Sequence, residues 1–182
     1  MQRVATILLV LCLACGRVFA ASDKDIEAFH NAVQIGDISK VGSMLKADPK
    51  LATSVGEYGF QPMNLQDMYF EPKIFKLLLG AGADVNAASE DGITLLHIIS
   101  DPEPVAQIVA AGGNLEARDK DGRTPLLVQL TEPDREDVIQ ALIEAGADVN
   151  AKDNRGHTAL SMARERTEDD VARLLVRAGA RP

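Results

Sequence analysis

The chain has 182 residues, of which 46% are hydrophobic and 25% charged, and its net charge is −8 at neutral pH. That describes one ordinary globular domain, and the acidity argues against DNA or RNA as the main partner, because phosphate binding needs a basic footprint. Aromatic residues make up only 4%, without a single Trp, so a core built from Leu, Val, Ile and Ala is expected, which favours stacked helices over a β-sandwich.

Residues 1–20 read as a secretory signal peptide. Met1-Gln2-Arg3 gives a short positive start, Val4 to Ala14 is an almost unbroken apolar run, and Val18 and Ala20 suit signal-peptidase cleavage. The mature chain then starts at Ala21. The run covers about eleven residues, where a membrane span needs roughly twenty, so no stable membrane insertion is expected. An exported protein follows, periplasmic by preference, with full secretion or a lipid anchor on Cys15 as the other destinations. Cys12 stands where a lipoprotein signal wants Leu. Both cysteines leave with the leader, so the mature domain has no disulfide, thiol nucleophile or Cys-held metal.

From residue 25 onward the chain repeats itself. Gly82-Ala83-Asp84-Val85-Asn86-Ala87 returns as Gly112-Gly113-Asn114-Leu115-Glu116-Ala117, as Gly146-Ala147-Asp148-Val149-Asn150-Ala151 and, truncated, as Gly179-Ala180. The intervals are 30, 34 and 33 residues. A second marker keeps the same phase: Asp91-Gly92-Ile93-Thr94-Leu95-Leu96-His97, then Asp121-Gly122-Arg123-Thr124-Pro125-Leu126-Leu127, then Arg155-Gly156-His157-Thr158-Ala159-Leu160. Tyr58-Gly59-Phe60-Gln61-Pro62 is a weaker copy. Periods of this size mean stacked units that cannot bury their apolar faces alone.

Within each unit the residues predict helix, turn, helix and hairpin arm. Thr124-Pro125 sets an N-cap hydroxyl before a Pro at the first helical position. The glycine after each second helix closes it in the left-handed region. Second-helix apolar residues recur at helical spacing, as in Val138, Ile139 and Leu142. Asp-Val-Asn then turns the chain, Val inward and the polar pair bonding the turn backbone.

These markers resemble the ankyrin-repeat signature across residues 25–182. The resemblance implies an all-α repeat solenoid of five stacked ankyrin-type helix-turn-helix units with short β-hairpin arms, occupying residues 21–182. The first helices are placed near Glu27, Gln61, Thr94, Thr124 and Thr158, with the first and last units as caps. The third unit is three residues short between its helices, at Ser100-Asp101-Pro102-Glu103-Pro104, which predicts a tight loop. His30 and His97 fall where the family uses His to bond the turn between units, while Thr167 is expected to cap the last helix.

No constellation points to catalysis. There is no H-E-x-x-H and no phosphate loop, and the run Glu168-Asp169-Asp170 lacks the alternating ligands of a calcium site. No catalytic residue, metal or cofactor is expected. The resemblance instead implies a protein partner held on the concave face by the arms and first-helix ends. The residues placed there are Tyr58, Phe60, Met68, Tyr69 and Phe70 of the second unit, and Ile93 of the third. Arg118, Lys120 and Arg123 belong to the fourth, and Lys152, Arg155 and His157 to the fifth. The aromatic group reads as an anchor and the cations as a basic strip. A non-catalytic, monomeric protein-binding module is the reading, with an inhibitor or immunity protein of a secreted hydrolase or toxin, or a support protein for a periplasmic enzyme, as the alternatives.

Overall fold

A computed structural model describes residues 21–66 and 70–181. The expected leader over 1–20, Met68 and Tyr69 lie outside them. Helix α1 (Asp23–Gln34) opens the first unit, four residues ahead of the expected start at Glu27. Its position follows from Ser22, whose hydroxyl accepts the Asp25 N–H at 3.3 Å while the Asp25 carboxylate accepts the Ser22 N–H at 3.1 Å. Such a reciprocal pair satisfies two otherwise orphaned donors. Helix α2 (Ile38–Ala47) packs on it, capped by Asp37.

The later units repeat this pairing with shorter pieces. In the second unit a single 3₁₀ turn, Pro62–Gln66, replaces the first helix and is followed by α3 (Pro72–Gly80). The third holds α4 (Leu95–Ile98) and α5 (Val105–Ala110), the fourth α6 (Pro125–Gln129) and α7 (Glu136–Glu144). Helices α8 (Ala159–Glu165) and α9 (Asp169–Arg177) make the fifth. First-position elements stack in one layer, α1 on the 3₁₀ turn, that turn on α4, and α4 on α6; second helices stack in another, with α7 between α5 and α9.

The second helices of the last four units end the same way. Gly82, Gly112, Gly146 and Gly179 hold φ near +93° to +101°. The following N–H then reaches back to a carbonyl of the last turn, as in Ala147 N–H to Leu142 O at 3.0 Å. Between the layers runs one continuous aliphatic core that includes Leu78, Leu95, Ile108, Leu126, Leu142, Leu160 and Leu175, each at most 1% exposed.

Two expectations need adjustment. The arms are tight turns whose ends are closed by a bond such as Asp119 N–H to Arg123 O at 3.1 Å, with a second inside it from Gly122 N–H to Asp119 O at 2.9 Å, not paired strands. Among the described residues the only ladder contact outside helices is an isolated antiparallel bridge between Lys152 and Thr158. Thr167 does not cap α9: it sits at φ +57°, and Glu168 holds the cap position without a side-chain bond. The all-α solenoid itself stands.

The shortened third unit exposes a polar problem and its solution. Helix α4 has only four residues, so its last carbonyls lack intrahelical partners. Gln129, buried on α6, donates from Nε2 to the carbonyls of both His97 and Ile99 at 3.0 Å.

Candidate protein-binding surface

The arms of the third, fourth and fifth units are each built around one buried acceptor. Oδ1 of Asp119 takes the N–H groups of Asp121 at 2.9 Å and Arg123 at 2.8 Å. Asp153 does the same for Arg155 and His157, and in the third unit the Ser89 hydroxyl stands in, accepting from Asp91 and Ile93. Burial pushes the Asp153 carboxyl up, but bonds from the His157 ring and from backbone N–H groups outweigh it and hold the group below its ordinary value. Sequence reasoning missed these acceptors. Their signal was available, an Asp or Ser three residues before Gly92, Gly122 and Gly156.

Neighbouring arms are then laid edge to edge. The N–H of Glu90 donates to Tyr58 O at 3.1 Å, that of Lys120 to Asp91 O at 2.8 Å, and that of Asn154 to Asp121 O at 2.9 Å. Gly92 shows how close the approach is. A Cβ there would fall 2.6 Å from the Arg118 carbonyl of the next arm, and its φ is +79°.

This close docking engages most of the expected basic strip. Arg118 donates from one guanidinium nitrogen to Gly122 O at 2.6 Å and to Lys152 O in the next arm. Lys120 pairs with Asp91 at 2.8 Å, and that partner raises its pKa. Arg123 pairs with Asp119 at 2.8 Å and with Asp121 at 3.0 Å, and the His157 ring meets Asp153 at 3.0 Å. Lys152 and Arg155 are exposed and, among the described residues, form no ion pair through their own side chains.

The aromatic group is also divided. Tyr58 is 74% exposed and sits in the left-handed region at φ +55°, an uncommon place for a residue with a Cβ. Phe60 is half-buried beside it. Phe70 turns to packing instead, its ring 5.2 Å from that of Phe75 and against the core. Ile93 is half-buried at the foot of the third arm. Beneath Tyr58, α1 and the 55–60 loop enclose a groove of about 740 Å³. His30 ties its two walls, Nε2 lying 2.9 Å from Ser54 Oγ.

His97 links the third unit to the fourth. Its Nδ1 accepts the Thr94 N–H at 3.1 Å, and its Nε2 lies 3.2 Å from the Arg123 carbonyl, which fixes the hydrogen on Nε2. Burial holds the His97 pKa below its ordinary value, against the Arg123 carbonyl that raises it. In the second unit Asn64 does the same work, accepting from Gln61 N–H at 3.1 Å and donating to Ile93 O at 3.2 Å. Among the described residues, no group of three His, Cys, Asp or Glu side chains gathers where a metal ion would fit. No described helix is long and apolar enough to cross a membrane.

A stack of helix pairs bearing edge-to-edge turn arms defines a helical repeat protein. The family model described as Ankyrin repeats (3 copies) matches over residues 66–153 and 100–182. The chain therefore belongs to the ankyrin-repeat family, whose members are typically protein-interaction modules. It is 32% identical over 164 residues to the human neurogenic locus notch homolog protein 2, covering 87% of this chain but only 6% of that protein. It is 28% identical over 190 residues to the ankyrin repeat protein YahD of Escherichia coli (strain K12), covering 82% of this chain and 94% of that protein. Mouse ankyrin repeat domain-containing protein 63 shares 44% identity over 71 residues, 37% of this chain and 18% of its own length.

Proposed function

We propose that this chain is an exported, non-catalytic module that binds one protein partner along its arm face, in the periplasm by preference. The observation that supports this most is Tyr58. The fold leaves its ring in solvent on a backbone conformation that disfavours side chains, although large exposed aromatic rings are common anchors of protein interfaces. Phe60 lies alongside, and Met68 and Tyr69 follow in the same unit. Ile93 and the free cations Lys152 and Arg155 extend the surface along the array. Arg118, Lys120, Arg123 and His157 hold the arms in register, so their part in binding is to keep that face rigid. A monomer fits this reading, since the partner occupies the only face with an exposed aromatic ring among the described residues.

The test is affinity capture by residues 21–181 from an extract of the exported fraction, with the Tyr58→Ala variant as control. One protein retained by the native chain and lost with Tyr58→Ala supports the reading. Assaying that protein with and without the module separates an inhibitor, which lowers its activity, from a support protein. Retention of the same proteins by both chains overturns the anchor. Export is read independently by sequencing the mature N-terminus, expected at Ala21.

A further inference from the structure

We infer that the groove between α1 and the 55–60 loop receives a lysine or arginine side chain of the partner protein. This rests on the binding-module reading and adds to it the chemistry of the contact. Helix α1 presents one stripe to the groove at positions 23, 26, 27, 30, 31 and 34, the spacing of a single helical face. Asp23 and Glu27 stand one turn apart on it, and Glu57 faces them from the loop. The lining holds no lysine or arginine, and none of these three carboxylates has an ion-pair partner among the described residues. His30 offers no compensating charge at neutral pH, because burial lowers its pKa.

Asn31 and Gln34 add uncharged polar groups along the α1 stripe, and the other side chains of the lining are apolar or aromatic. Ile26, Val55 and Leu65 form the walls, and Tyr58 and Phe60 bring two aromatic rings to the rim. An aliphatic wall that ends in carboxylates and aromatic faces matches one side-chain type. A lysine or arginine lays its methylene stem on apolar surface while its head stays in a polar setting, and a cation is attracted both to carboxylates and to ring faces. An acidic or neutral side chain would leave three like charges facing each other uncompensated. A concave site lined with one sign of charge also concentrates counter-charge and speeds encounter.

A basic strip on the arms would suit an acidic partner patch, but four of its six cations are held by the arms themselves. The carboxylates beside the exposed ring are the ones left open.

The experiment uses residues 21–181 and fluorescein-labelled nonapeptides of alternating Ala and Leu whose central residue is Lys, Arg, Glu or norleucine. Fluorescence anisotropy at low salt should show the Lys and Arg peptides binding at least about tenfold more tightly than the other two. Glu27→Gln with Glu57→Gln should erase that gap, and Tyr58→Ala should weaken the Lys and Arg peptides by about tenfold. All three positions are exposed, and matching thermal melts confirm that the variants fold. Equal binding of the Lys and norleucine peptides, or preference for Glu, overturns the inference. So does binding of none of them, and if the captured partner is still retained by Glu27→Gln/Glu57→Gln, the module reading survives while this contact does not.

Discussion

His97 and Asn64 occupy equivalent places in successive units and make the same two bonds, one to the N–H at the start of their own first helix and one to the next arm's carbonyl. Only the histidine can be protonated near neutral pH, and protonation would put a hydrogen on the nitrogen that accepts from Thr94. Because burial lowers the folded-state pKa of both His97 and His30 below the ordinary 6.5, the unfolded chain takes up protons first as the solution is acidified. Stability is therefore complete above about pH 6.5 and is lost as the pH falls through it toward the depressed values. Thermal melts from pH 7.5 to 5.5 should show Tm dropping. His97→Asn borrows the solution already present at Asn64, so it should melt close to the native chain at pH 7.5 and lose less on acidification. His97→Leu strands the Thr94 N–H and removes one of the two donors to the Arg123 carbonyl, which keeps the Asp119 N–H, and should cost about 1–3 kcal/mol at pH 7.5.

At the level of elements, the helices were legible because Thr starts and Gly stops recur every 30 to 34 residues. What the sequence hid was the state of the arms. Arg118 finds its carbonyl partner 34 residues away, and a residue's type does not reveal whether its charge is consumed by a neighbouring unit. The same holds for Phe70, which lies in the aromatic unit by sequence yet packs on Phe75 in space. Asp119 is the clearest case, an acid by type whose side chain is only 1% exposed. Asp119→Ala should destabilise the chain by about 3 kcal/mol, because it leaves two N–H groups without their acceptor and the Arg123 guanidinium with Asp121 as its one remaining carboxylate; urea melts measure this. Gln129→Leu should cost about 1–3 kcal/mol by unpairing the carbonyls that end α4, with hydrogen exchange quickening in α4 before α7.

Across the whole molecule, side-chain bonds also stitch the turns that follow the second helices. Asn86 donates to Gly112 O at 2.9 Å and accepts from Asn114 N–H at 2.7 Å, and Asn150 repeats this with Gly179 and Arg181. Between them Glu116 replaces Asn and reaches the Asp148 N–H at 2.8 Å. Each stitch joins adjacent units only. Stability is then shared between neighbours, and Leu142→Ala at the junction of the fourth and fifth units should cost about 2–5 kcal/mol in a chemical melt.

The chain of arm bonds from Tyr58 to Glu90, Asp91 to Lys120 and Asp121 to Asn154 runs along the array, so a pull on the two ends would load its links in series. A molecule built that way tears as a rope of knots does, one knot at a time. Held between a cantilever and a surface, it should give a sawtooth force trace with a tooth for each released unit. With repeats of 30 to 34 residues, successive teeth should lie roughly 100–120 Å apart in contour length. The fifth unit, which has a neighbour on one side only among the described residues, should yield at the lowest force.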